Sequence, residues 1–310
     1  MSLTDRLLSR CTFPEPGTPL VCAVSGGADS LALLVLGVAS ECRVTAVHVD
    51  HGLRTGTTAE ADTVADAARR FGAGFRLHRV EVAEGSNLEA RAREARHRAL
   101  GPDAATGHTA DDQAETALIN LLRGAGVHGL AGMRAGPRHP LLGVRRAETV
   151  ALCDDLGLVP VLDPTNSDPR FVRNRARHQL VPLCSAIAGR DVVPIIARQA
   201  GLLAGDADIL DAVASLIDPH DAAALAASPD PVGRRSVRDW LTGDGSYPPP
   251  LDAVERVLDV ARKQRQATET PGGRRVGRSG GRLSVTPQDS DHRPGGQHPP
   301  VQSRGDQRRG

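Results

Sequence analysis

Short apolar runs alternate with longer amphipathic ones through the first half of the chain. Residues 20–24 are continuously apolar (Leu-Val-Cys-Ala-Val), the pattern of a strand buried on both faces. Residues 31–38 follow as an apolar helix, and residues 44–49 as a β-branched strand ending at Asp50. The alternation continues with an alanine-rich helix over 59–71, a third strand over 75–82 and a charged helix over 87–100 with Asn87 as its N-cap. A brief strand over 104–107 and a helix over 111–123 complete it. This order predicts an α/β fold: a doubly wound, Rossmann-like parallel sheet that takes its ligand at the carboxyl ends of the strands. Short helical periods at 192–216, 221–227, 234–241 and 251–263 predict a small helical domain over 186–270 behind an α/β domain over 1–185. Residues 271–310 are rich in Gly, Pro, Arg, Ser and Gln and read as a disordered tail, with 282–285 as its one strand-like stretch.

The length of 310 residues suits about two domains. Hydrophobic residues make up 40% and aromatic residues only 2%, so the core must rest on Leu, Val, Ile and Ala. The net charge of +1 identifies no partner; its distribution says more, because from Ala261 onward eleven Lys/Arg face four Asp/Glu. Five cysteines (Cys11, Cys22, Cys42, Cys153, Cys184) are scattered without a CxxC pair, and Cys22 falls inside the first strand as a buried thiol. With no basic-then-apolar leader, these are expected to be reduced thiols in the cytoplasm. No apolar run approaches the roughly eighteen residues of a membrane span.

Polar clusters fall at the predicted strand ends. Ser25-Gly26-Gly27-Ala28-Asp29-Ser30 stands between the first strand and its helix. The glycines allow backbone N–H groups to turn toward an anion, and the helix N-terminus adds donors and the positive end of a dipole. A carboxylate beside phosphates makes Asp29 a candidate Mg²⁺ ligand. The loop is not a Walker A, which ends in Gly-Lys-Ser/Thr; Lys263 is the only lysine in the chain. His48 and Asp50 close the second strand, followed by His51 and by Arg54, which could reach a phosphate.

Gly107-His108-Thr109-Ala110-Asp111-Asp112-Gln113-Ala114-Glu115 follows the fourth strand. Asp111 and Glu115, four apart, share a helix face and suit a metal or a cationic amine. Acids at 111 and 112 are also what an ordinary helix start prefers. His108 suits a phosphate or a reactant. Arg91, Arg93 and Arg96 read as a solvated face, or as one arginine turned inward onto a leaving phosphate. The glycine-rich stretch 124–133 reads as a connector or as a loop that closes on substrate. Arg170, Arg173, Asn174 and Arg177 form a basic segment in which Arg173 and Arg177 share a helical face, suited to ATP or RNA phosphate.

SGGADS (25–30) resembles the loop of enzymes that split ATP between its α- and β-phosphates. VDHGLR (49–54), REAR (93–96), GHTADDQAET (107–116), LLRGAGVHGLAGM (121–133), RHPLL (138–142) and DPTNSDPRFVRNRAR (163–177) follow in order. Together these strings resemble the tRNA(Ile)-lysidine synthetases, PP-loop ATP-pyrophosphatases, over residues 20–182 and more loosely to about 263. The resemblance implies a cytoplasmic ligase in which ATP adenylates the wobble cytidine of a tRNA(Ile) with a CAU anticodon. Free L-lysine then displaces AMP, and the codon read becomes AUA. It implies that residues 25–30, His48, Asp50 and Arg96 bind ATP, with Asp29 on Mg²⁺. Asp111 and Glu115 would meet the lysine, His108 would act in catalysis, and Arg54, Arg170, Arg173, Asn174 and Arg177 would meet tRNA or phosphate. A homodimer is the assembly considered, and no membrane is involved. The chain departs from the family pattern at His97, where an aromatic is common, and in its Arg/Gly/Pro tail, which is unlike the C-terminal domain of the long forms. The rival readings are another PP-loop enzyme, such as a tRNA thiolase, for which paired cysteines are expected, and a nucleotide-binding module without catalysis.

Overall fold

The computed structural model describes residues 1–50, 57–80, 98–161, 168–243 and 248–287. Within them the chain divides into two compact units, Met1–Ala207 and a second beginning at Asp208.

Helix α1 (Leu3–Leu8) leads into a parallel sheet of β1 (Pro19–Ala23), β2 (Arg43–Asp50), β3 (Gly74–Arg79) and β4 (Ala105–Thr106), in the order β3-β2-β1-β4. Successive strands step outward from β1 to β3, and then β4 returns to the far side of β1. The chain therefore reverses direction between β1 and β4, which makes their carboxyl ends the topological switch point where an open α/β sheet takes its ligand. The segments after β1 and β4 are Ser25–Gly27 and Gly107–Thr109, the two strongest signals in the sequence.

Helix α2 (Ala28–Ala39) is a core helix. Leu31, Leu33, Leu34 and Leu36 are fully buried against β1, β2 and helix α6 (Arg146–Asp155), each contributing about 2 kcal/mol of apolar transfer. Helix α3 (Thr57–Phe71) lies on β2 and β3. Helix α2 starts three residues before the expected Leu31, because Gly27 takes the extended N-cap conformation; Asp29 and Ser30 thus stand in its first turn. The predicted helix over 87–100 lies outside the described residues up to 97.

Helix α4 (Ala110–Leu122), the four-residue α5 (Val127–Leu130), α6, α7 (Val172–Arg175), a π-turn (Ala176–Leu180), α8 (Val181–Ala188) and α9 (Val193–Ala214) follow. Val193, Ile196 and Ala197 of α9 pack on Ala110 and Ala114 of α4. That contact carries the first unit past the expected boundary at 185.

The second unit contains α10 (Ala222–Ala227), α11 (Asp230–Thr242) and α12 (Leu251–Ala261), and then an antiparallel sheet of β5 (Ala267–Thr270), β6 (Arg274–Ser279) and β7 (Arg282–Pro287). This sheet corrects the expectation of a disordered tail from 271, as far as residue 287. Val276 and Leu283 are buried against Leu225, Val237, Leu241 and Leu258. The glycines that resembled tail composition form the two tight hairpins, Gly272-Gly273 and Gly280-Gly281, all at positive φ. No single helix among the described residues is long and apolar enough to cross a membrane.

Candidate active site

The phosphate-loop candidate is a shaped turn. Gly26 has φ +90°, and its carbonyl accepts the Val161 N–H (2.9 Å). Ser30 Oγ accepts the Ser25 N–H (3.1 Å) and donates to the Gly27 carbonyl (2.8 Å), so Ser25 and Ser30 brace the turn from within. The N–H groups of Ala28 and Asp29, first in α2, lack intrahelical acceptors and face the anion-binding end of the dipole. Gly107 closes the other side: a Cβ there would stand 2.6 Å from the Asp29 carbonyl oxygen, so only glycine lets the end of β4 approach the start of α2 this closely.

The sequence missed the hub of the site. Arg146, the first residue of α6, reaches Asp29 (Nε–Oδ2, 3.4 Å), Asp112 (2.8 Å) and Glu115 (3.0 Å). Arg173 and Arg177 meet the same two acids from α7 and the π-turn. Arg173 contacts Asp112 at 2.9 Å and Glu115 at 3.0 Å, and Arg177 contacts Glu115 at 2.7 Å and Asp112 at 3.4 Å. Three carboxylates and three guanidiniums thus form one cluster, in which the Glu115 side chain is only 2% exposed and that of Arg173 is 40% exposed. Nothing in local spacing marked Arg146; the only signal was its place at a helix start after RHPLL.

Burial alone would raise the Asp112 carboxyl, but the charges of Arg146 and Arg173 and the Thr109 N–H outweigh it and hold the group at about 2. Asp29 goes the other way: burial raises it above the ordinary carboxylate value, against the Thr149 hydroxyl, which donates to it, and Arg146. Burial would lower Arg146, and the attraction of Asp112, Glu115 and Asp29 raises it instead.

The expected pair of Asp111 and Glu115 is divided. Asp111 accepts Arg145 Nε (3.0 Å) and Nη2 (3.1 Å) and the Arg146 N–H (2.8 Å), so it clamps the start of α6 to the start of α4. Asp112 and Glu115, three apart, are the acids that converge. Asp112 also serves the helix start, accepting the Thr109 N–H and hydroxyl, both at 2.8 Å.

His48 is buried, and its Nδ1–H donates to the carbonyl of Val24 (2.9 Å), the residue just before the phosphate loop. Asp50 ends β2 on the same sheet edge. His108 follows Gly107, and its Nδ1 lies 2.7 Å from Thr106 Oγ1. Arg173 and Arg177 do share a face, but they are turned onto Asp112 and Glu115. Arg170 pairs with Asp168 at the surface (2.6 Å), and Asn174 donates to the Asp168 carbonyl (2.9 Å). Arg54 and Arg96 lie outside the described residues, as do Arg91 and Arg93. The glycine-rich stretch is pinned: Gln113 donates to the Ala131 and Met133 carbonyls and accepts the Met133 N–H, while Asn120 donates to the Gly129 carbonyl (2.7 Å).

All five cysteines are free. Burial pushes the thiols of Cys11 and Cys22 up to about 12 and that of Cys153 to about 11, so these three are protonated at neutral pH. Among the described residues no three His, Cys, Asp or Glu side chains group as metal ligands.

A glycine-bent loop at the switch point of a parallel sheet, facing acids on the neighbouring strand end, defines a PP-loop nucleotide-binding fold, and the PP-loop domain family matches residues 4–184. The same fold is seen in the U34-tRNA thiolase NcsA from Methanococcus maripaludis with its 4Fe–4S cluster. That likeness has a TM-score of 0.53 at 16% identity, over 64% of this chain and 77% of that one. Sequence relatives narrow the class. The tRNA(Ile)-lysidine synthase of Nocardia farcinica is 41% identical over 298 residues, covering 88% of this chain and 93% of its own. That of Rhodococcus erythropolis is 43% identical over 75% of this chain and 76% of its own. The chain belongs to the tRNA(Ile)-lysidine synthase family.

Proposed function

We propose that this protein joins free L-lysine to the wobble cytidine of a tRNA(Ile) with a CAU anticodon, using ATP. In the first step the cytosine 2-oxo oxygen attacks the α-phosphorus and pyrophosphate leaves. In the second the lysine ε-amine attacks C2, the ring carbon that bears this oxygen, the carbon–oxygen bond breaks, AMP departs and the amine gives up a proton. The product is lysidine, and the tRNA then reads AUA. The observation that carries this reading is Arg146, which joins Asp29 at the phosphate loop to Asp112 and Glu115 in one crevice.

The loop turn and the first amides of α2 bind the triphosphate. Asp29, whose carboxylate already attracts the Arg146 guanidinium, would be the residue to hold a Mg²⁺ ion, which would neutralise charge on the pyrophosphate. Asp112 and Glu115 receive the lysine ammonium, Glu115 takes the proton whose loss frees the nitrogen lone pair for attack, and Asp111 holds the two helix starts in register. Charge balance explains how both substrates are accepted. The cluster of three acids and three arginines is neutral, so an added anion or cation alone leaves it unbalanced. Phosphates draw Arg173 and Arg177 toward themselves in charge-assisted bonds, and the uncovered carboxylates then take the ammonium. The second unit contacts the tRNA, and the enzyme works in the cytoplasm.

The test is incorporation of labelled lysine into unmodified tRNA(Ile) with a CAU anticodon. Label should enter only with ATP, and pyrophosphate should be released with tRNA even without lysine. Asp29→Asn should lose the pyrophosphate release. Labelling without ATP, or none at all, would overturn the assignment.

A further inference from the structure

At the end of β4, one hydroxyl serves two histidines. Thr106 Oγ1 lies 2.7 Å from His108 Nδ1, 2.8 Å from His139 Nδ1 and 3.2 Å from the Arg138 carbonyl oxygen. The two rings meet edge to face at 5.2 Å. A hydroxyl has one proton to give, and the Arg138 carbonyl can only accept. The Arg138 carbonyl is the most distant of the three possible acceptors and already accepts the Thr106 N–H (2.9 Å), so the hydroxyl proton goes to one of the rings, and the other ring's Nδ1 must then be the N–H that donates to Thr106.

We infer that His139 is a positioning residue: accepting the Thr106 proton at its Nδ1, it holds His108 as the Nδ1–H tautomer, with Nε2 the basic atom that takes the proton released when the lysine amine attacks. The chain runs His108 Nδ1–H to Thr106 Oγ1–H to His139 Nδ1. In the transfer step the nitrogen–carbon bond forms, the carbon–oxygen bond to AMP breaks, and the amine proton goes to His108 Nε2, giving an imidazolium whose Nδ1–H remains on Thr106.

The surroundings suit this order. Burial, and next the charge of Arg138, lower the His139 pKa, so His139 stays neutral and able to accept. Asp112 and His108 attract each other electrostatically. Gly107 sets His108 directly beside the phosphate loop. The inference rests on the lysine-transfer reading above, with His108 in the catalytic step.

The test separates the two half-reactions in the full-length enzyme. Adenylated tRNA is formed with ATP alone, then lysine is added and a single turnover followed across pH. His139→Phe keeps the ring and removes the acceptor; His139→Asn restores a polar atom near Nδ1. His139→Phe should slow lysine transfer roughly tenfold, one hydrogen bond's worth, with pyrophosphate release unchanged. Its acid limb should move to lower pH, because the imidazolium loses the far end of its chain. His139→Asn should recover most of the rate. Nitrogen-15 shifts of His108 should change from the Nδ1–H to the Nε2–H pattern in His139→Phe, and this readout needs no activity. Equal loss of both half-reactions, an unmoved acid limb, or an unchanged His108 tautomer would overturn the inference. If the wild type transfers no lysine at all, the proposed function fails first.

Discussion

Asp112→Asn tests the cluster at its most deeply paired acid. The change removes one charge from three acids and three arginines and keeps the side chain's size. The Asp112 carboxyl is held at about 2 against an ordinary 3.8, because Arg146, Arg173 and the Thr109 N–H overcome the penalty of burial. A native pKa lower by that difference corresponds to about 2 kcal/mol of folding stability at neutral pH. The sign is fixed by the direction: the contribution is complete above the unfolded value and is lost as pH falls through the folded one. The gap in unfolding free energy between wild type and Asp112→Asn should therefore be full at pH 7 and at pH 5, about half near pH 3 and small by pH 2. Urea unfolding followed by far-UV circular dichroism measures it, since the single tryptophan, Trp240, reports on the second unit. A gap that stays constant down to pH 2, or a variant as stable as wild type at pH 7, would refute the role of the arginines in holding Asp112 ionised.

Gly107→Ala should weaken ATP binding at least tenfold, because the new Cβ would stand 2.6 Å from the Asp29 carbonyl and push the start of α2 away; calorimetry giving an unchanged Kd would contradict this. Gln113→Ala breaks three hydrogen bonds to residues 131–133 and should raise hydrogen exchange at the Met133 amide, with a loss of about 1–3 kcal/mol in stability. Deleting residues 271–310 removes Val276 and Leu283 from the second core, about 3–6 kcal/mol of apolar burial, and should abolish the cooperative unfolding seen by Trp240 fluorescence. A truncated chain that kept that transition would show the β5–β7 sheet to be dispensable.

The parallel sheet was legible because its strands are apolar runs with turn residues between them, and because β1 and β4 each end in a glycine-bearing polar string. The second unit's sheet was not. Each of β6 and β7 sends one large apolar side chain, Val276 or Leu283, fully into the core, too sparse a signal for a period-2 pattern. Their hairpin glycines look the same in composition as a flexible tail. The extension of the first compact unit beyond 185 was not legible for a different reason. The face of α9 that covers α4 is apolar like any other, and periodicity says which residues are buried but not against what.

At the site, spacing along one helix is a weaker guide than the partner that arrives from elsewhere. Asp111 and Glu115 at i,i+4 are the better pair on the helical wheel, and Asp112 looks like an ordinary helix-start acid. The structure parts Asp111 from Glu115, because the arginines at the N-cap and first position of α6 point in different directions. Arg145 takes Asp111, while Arg146 reaches Asp112, Glu115 and Asp29. An arginine thirty residues downstream of these acids carries no local mark of that choice. Arg173 and Arg177 show the converse. Their shared face was readable, and so was their affinity for negative charge, but a sequence cannot say whether that charge is a phosphate or a buried carboxylate. In the folded chain these arginines pair with Asp112 and Glu115, the acids proposed to receive the lysine ammonium. On the function proposed above, such a segment acts as a counterion to the site until phosphates draw its guanidiniums away.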